Sequence, residues 1–162
     1  MGGTEIREHR KLRFASLNEL DAALMRIERA EREGKLEALG AWTPGQILNH
    51  LGAWIEFGYE GFPRELRPPP LALRVLLRLG RKRFLSRPLP VGFRIPHAPE
   101  GTYATEVVPF EEGMARLRRN LERLMKGEAP RVPSPAFGML THEEAVQGTL
   151  RHAELHLGFL GY

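Results

Sequence analysis

Thr141-His142-Glu143-Glu144-Ala145-Val146-Gln147-Gly148-Thr149-Leu150-Arg151-His152-Ala153-Glu154-Leu155-His156-Leu157 is the stretch that decides the fold. It opens with a threonine followed three residues later by a glutamate, the reciprocal pattern that satisfies free amides at a helix start. No proline interrupts it, and Val146, Leu150, Leu155 and Leu157 give it an apolar side. It therefore reads as a long helix packed on a core. His152 and His156 are four residues apart, so one helical turn returns both imidazoles to the same face. Such a pair can share a metal ion, although two core or surface histidines with ordinary hydrogen bonds show the same spacing. Most metal sites need a further protein ligand. His50, inside another capped apolar helix, is the candidate. Glu154 is two residues from each histidine and points off their shared face, so it reads as a solvated or salt-bridged residue. The His-Glu-x-x-His arrangement of zinc peptidases is absent.

Working outward, three more principal helices follow from caps and periodicity. Ser16 and Glu19 open the first, with Leu17, Leu20, Leu24 and Ile27 as its stripe and Gly34 as its stop. Thr43, Pro44 and Gln46 open the second, whose buried side is Ile47, Leu48, Leu51, Trp54 and Ile55. Gly45, Gly52 and Gly58 in it allow close backbone approach. The third spans Phe110 to Met125, with Met114, Leu117, Leu121 and Leu124 facing inward. An additional short helix, Leu71 to Leu85, has only basic charges, among them Arg74, Arg78, Arg81, Lys82 and Arg83, with Arg87 just beyond. It reads as a solvated or subunit-contact face, with an anionic partner or a membrane surface as the alternative. Residues 86–109, rich in proline, read as a long loop, with an extended piece at Thr102 to Val108. A connection of this length often covers a functional opening. His97 within it and His9 in the lead-in read as solvent-facing. Phe137, Met139 and Leu140 read as a loop pinned against the core.

The fold class is accordingly all-α: a four-helix bundle with a long irregular crossover and an extra short helix, as one domain over 1–162. Composition agrees, with 42% apolar and 27% charged residues. No cysteine is present, which removes disulfides, thiolate ligands and a cysteine nucleophile. A charged N-terminus and the lack of a run of about 18 apolar residues predict no transmembrane segment and a cytoplasmic protein. A net charge of +4 is weak evidence for nucleic acid.

Trp42-Thr43-Pro44-Gly45-Gln46-Ile47-Leu48-Asn49-His50-Leu51, then Phe137-Gly138-Met139-Leu140-Thr141, then His152-x-x-x-His156-Leu157 appear in that order. In this the chain resembles the DinB-like, or YfiT-like, metal-binding superfamily over nearly its whole length. The resemblance implies a four-helix bundle, a homodimer, and a divalent metal held by His50, His152 and His156. Many relatives carry a glutamine soon after the last histidine, whereas Leu157-Gly158-Phe159 follows here. Characterised relatives include transferases and isomerases that use small thiols.

Three neutral imidazoles suit zinc or nickel first, with iron and manganese also compatible. The function expected is a divalent-metal-dependent transferase or hydrolase that activates a small thiol or water. Gly52 and the loop after Gly92 are the places with room for such a molecule. Candidate acceptors for the second imidazole nitrogens are Asn49, Glu56, Glu60, His142 and Glu144, with His142 read as first-turn. The alternatives are a non-enzymatic metal-binding or structural dimeric protein, and nucleic-acid binding through residues 74–87. No Glu-x-x-His motif supports a di-iron centre.

Overall fold

The computed structural model describes residues 9–96 and 98–162; residues 1–8 and His97, with the expectation made for it, lie outside them. Four long helices, α1 (Leu17–Arg32), α2 (Pro44–Glu60), α5 (Phe110–Met125) and α6 (His142–Leu157), form the bundle. The crossover from α2 to α5 contains two short helices, α3 (Leu71–Leu79) and α4 (Arg81–Ser86), and a 3-10 turn at Pro99–Gly101. The architecture is thus all-α with a long irregular crossover. No helix among the described residues is long and apolar enough to cross a membrane.

The caps expected from sequence set the helix registers. In α2, the Gln46 amide N–H donates to Thr43 Oγ1 at 3.2 Å and the Thr43 N–H donates to Gln46 Oε1 at 3.3 Å. In α6, Thr141 and Glu144 make the same exchange at 3.2 and 2.9 Å. Ser16 caps α1, but Glu19 takes the N–H of Ala15 rather than that of Ser16. The apolar stripes then meet in one core that includes Leu24 and Ile27 of α1, Leu48 of α2, Leu121 of α5 and Leu150 of α6, all essentially inaccessible.

Helices α2 and α5 approach most closely, and glycines permit it. A Cβ on Gly52 would lie 2.8 Å from the Leu117 nitrogen, and one on Gly45 would run into the Val108 carbonyl. The α5 side contributes Gly113, whose added Cβ would run into the Gly45 carbonyl. Gly58 faces only the Pro130 ring, at 3.3 Å. Gly52 therefore leaves no room for a small molecule, because the α5 backbone fills that place.

The expected helix over 71–85 is broken at Gly80, where φ is −94° and ψ is 6°. After the break the Arg81 guanidinium reaches Glu144 on α6 at 2.7 Å. The connector after α1 contains a two-residue strand, β1 (Glu37–Ala38), antiparallel to β2 (Leu160–Gly161). Thr102 to Val108 does not form a strand. Its carbonyls serve α2 instead: Gln46 Nε2 donates to Thr105 O at 2.7 Å, and His50 uses Tyr103 O. Between these acceptors Ala104 has φ 58°, a left-handed value costing a non-glycine residue about 1–3 kcal/mol. Met139 is 49% exposed rather than packed on the core, and a bridge between Ser134 and Gly138 holds that loop.

Candidate metal centre

His50 lies on α2 and His152 and His156 on α6, and one nitrogen from each ring falls within 4.8 Å of the others. The ring centroids of His50 are 4.9 Å from His152 and 4.5 Å from His156, and those of His152 and His156 are 4.7 Å apart. His50 is buried, whereas His152 and His156 keep some solvent contact.

The hydrogen bonds fix what His50 can offer. Its Nδ1 lies 2.9 Å from the Tyr103 carbonyl oxygen, which only accepts, so Nδ1–H donates. In the neutral ring Nε2 then keeps its lone pair, and it lies 3.1 Å from His152 Nε2. Burial pushes the His50 pKa down to about 4, against the opposing effect of hydrogen bonds at Tyr103 and Ala104 and the charge of Glu106. His152 and His156 are lowered as well, first by burial and then by neighbouring histidines. All three rings are therefore neutral near pH 7, the form that ligates metal.

The donor set fits a metal. Two nitrogens at 2.0–2.1 Å from a tetrahedral ion stand about 3.3 Å apart, close to the 3.1 Å between His50 and His152. A histidine ligand ordinarily donates its other N–H to a carbonyl or carboxylate, as His50 does to Tyr103. The same 3.1 Å also suits a direct N–H···N hydrogen bond.

Aromatic rings wall the cluster. Trp42 stacks on His156, with centroids 5.4 Å apart and planes 5° from parallel, and meets His50 edge-on at 4.9 Å. Trp54, one turn beyond His50, stands 6.0 Å from His50 and 5.9 Å from His152. Phe57 and Phe62 continue from it. The Trp54 indole nitrogen is buried and has no partner among the described residues. A buried indole N–H without an acceptor is costly, so the Trp54 ring carries a donor left open.

The side chains considered as acceptors for the histidines are engaged elsewhere. Arg116 donates to Asn49 and, in a fork, to Glu56. Glu60 takes Arg123, and Glu144 takes Arg81 and the Thr141 amide. His142 sits in the first turn of α6, with Nε2 2.6 Å from Leu124 O. Of the two readings of Glu154 the salt bridge holds and the solvated face does not: it is buried, its Oε1 accepts from the Phe14 N–H at 2.6 Å and lies 2.8 Å from Arg151. Burial raises its pKa against the lowering effects of Phe14 and Arg13. His9 is half-buried rather than solvent-facing, because its Nε2 lies 2.9 Å from Leu155 O and its ring meets Phe159 edge-on. An open groove of about 400 Å³ between α2 and α5 is lined by Asn49, Glu56, Glu112 and Arg116. The histidines do not line it.

The acceptor for His50 is a backbone atom in the irregular crossover, and no residue type announces that role. Proximity in chain could not have found it, since Tyr103 lies 53 residues from His50.

Residues 6–161 match the model of a family described as "Protein of unknown function (DUF1569)". No curated protein and no solved structure matches the chain.

Proposed function

Because the chain belongs to the DUF1569 family, whose description names no reaction, we propose its function from the site itself: a divalent-metal-dependent transferase or hydrolase acting on a small molecule. His50, His152 and His156 are the proposed ligands, with zinc or nickel favoured by three neutral imidazoles and iron or manganese compatible with them. The observation carrying the reading is the polarisation of His50, with Nδ1–H committed to Tyr103 O and Nε2 turned to His152 Nε2 at 3.1 Å. The wider reading is a single DinB-like domain of a cytoplasmic homodimer. The ordered motifs around Trp42, Phe137 and His152 support it.

A divalent ion held there supplies the Lewis acidity that makes water or a small thiol a nucleophile near neutral pH. The chain's own residues do the rest. Tyr103 O holds the His50 tautomer, and Trp42 stacked on His156 limits rotation of that ring. The rings of Trp42 and Trp54 keep bulk water from one side of the cluster. Trp54 Nε1–H, lacking an acceptor among the described residues, is the donor this reading assigns to an oxygen or nitrogen of the bound molecule. The chain has no cysteine, so a sulfur nucleophile arrives as a co-substrate. Glu154 is committed to Phe14 and Arg151 and is not a base in this scheme.

A second reading is a non-enzymatic histidine cluster, favoured by the fit of the same 3.1 Å contact to an N–H···N bond. Cobalt loading separates the two. The proposal expects ligand-field bands that shift when a small thiol is added, together with consumption of that thiol in the presence of an alkylating electrophile, or hydrolysis of an activated ester. Bands that ignore thiols, in a protein inert toward both substrates, would leave the second reading standing.

A further inference from the structure

Between Glu65 and Glu100 the sequence holds eight basic residues and no acidic one. The chain's net +4 thus divides into +8 over this run and −4 over everything else. Among the described residues, only Arg81 of these eight has a carboxylate partner. Lys82, Arg83, Arg87 and Arg94 are exposed.

Within this run α3 has its polarity reversed. Arg74 and Leu77 are its half-buried positions, and the Arg78 guanidinium packs beside Gly138, with Nε 3.2 Å from where a Cβ on that glycine would sit. The opposite face is apolar and faces solvent: Leu71 is 67%, Val75 48%, Leu76 58% and Leu79 83% exposed. These four recur at helical spacing on one side. Phe84 and Phe93 add exposed aromatic surface in the same run. Apolar side chains scattered singly need no explanation, but a contiguous apolar face marks a contact surface. The reversal is held in place from α4, where Arg81 pairs with Glu144 and Leu85 lies against Gly148.

We propose that the outward face of α3 and the surrounding cations dock on an anionic lipid surface. The choice of occupant follows from charge and polarity together. A second copy brought up about a two-fold axis would set the exposed Lys82, Arg83, Arg87 and Arg94 against the same cations of the other copy, with like charges opposed. A nucleic acid supplies negative charge but no apolar layer for Leu76 and Leu79. An anionic bilayer supplies both: acyl chains beneath the leucines and negative headgroups for Lys82, Arg83 and Arg87. The contact is peripheral, and α3 at nine residues is far too short to span.

Flotation of the full chain with phosphatidylcholine vesicles, with and without about one third phosphatidylglycerol, tests this. The protein is expected to float with the anionic vesicles at low salt, to leave them as ionic strength rises, and to ignore the neutral ones. Each basic residue near such a surface contributes roughly fivefold in affinity, so the pair Lys82→Glu and Arg83→Glu lowers binding at least tenfold. The pair Leu76→Ser and Leu79→Ser abolishes retention, with helicity and thermal midpoint unchanged in both variants. Equal binding to neutral vesicles, or none to anionic ones at low salt, overturns the proposal. So does a solution dimer that dissociates in the Leu76→Ser, Leu79→Ser protein, which would give the face to a second copy. Retention on duplex DNA that depends on Lys82 and Arg83 but not on the leucines, with no vesicle binding, also overturns it.

Discussion

Gly113→Ala is expected to destabilise the protein, and Gly113→Val to do so by about 3 kcal/mol or more, at the upper end for overpacking a tight contact. Alanine in place of glycine raises intrinsic helix stability by about 1 kcal/mol. At most helical glycines that gain decides the sign. At Gly113 the new Cβ would run into the Gly45 carbonyl and stand 3.0 Å from the Asn49 nitrogen. Both are backbone atoms of α2, so relief requires the helices to separate rather than one side chain to rotate. Gly148→Ala is the control. Its Cβ would meet only the tip of Leu85, at 3.2 Å, and the propensity gain should leave it neutral or stabilised. Denaturant midpoints of the three variants check the ordering. Separation of α2 from α5 also moves the helix carrying His50, so Gly113→Val should weaken whatever the histidine cluster binds. A Gly113→Ala protein as stable as Gly148→Ala would mean that α2 and α5 do not approach as described.

Acidification of the metal-free protein is the second large effect. The folded-state pKa of His50 is lowered from 6.5 to about 4. The unfolded chain therefore takes up a proton below pH 6.5 that the folded chain refuses until about pH 4. The unfolded state gains as pH falls through this window, and stability present above pH 6.5 is lost on the way down. A gap of this size corresponds to about 2 kcal/mol from His50 by pH 5 and about 3 kcal/mol by pH 4. His152 and His156 are lowered too and add to the slope. Glu56, lowered chiefly by its hydrogen bond from Arg116, and Glu144, lowered by its bonds to Thr141 and Arg81 despite burial, lose their contributions only below their ordinary range near 4.5. The histidines therefore dominate between pH 6.5 and 5. Urea unfolding at several pH values in the presence of a chelator should show the loss, and His50→Gln should remove its share. A wild-type slope equal to that of the variant would contradict the buried, neutral His50.

The long helices were legible because their determinants are local. Thr43 with Gln46 and Thr141 with Glu144 carry their capping bonds within four residues, and the leucine stripes have helical period. The convergence of His50, His152 and His156 was legible because two of the histidines share a helix face, the third lies in the other strongly capped helix, and the ordered motifs shared with DinB-like proteins tie the three together. What escaped was non-local or carried by backbone. After the break at Gly80, Arg81 meets Glu144 across the fold, a pairing that the local pattern does not announce. The pairing of β1 with β2 joins residues more than a hundred positions apart. Tyr103 serves His50 through a carbonyl, which every residue has. The outward leucines of α3 could not be read either, because amphipathic periodicity gives the existence of two faces and not which of them meets the body.

His50, His152 and His156 are proposed to hold one divalent ion together. The most direct test is metal content per chain, measured by elemental analysis after loading with zinc or nickel and exhaustive dialysis, for the wild type and for His50→Ala, His152→Ala and His156→Ala, each checked for helicity. Close to one ion per wild-type chain is expected, with a near-complete loss in each of the three variants. Folded variants that retain the wild-type metal content, or a wild type that retains none, would contradict the proposal.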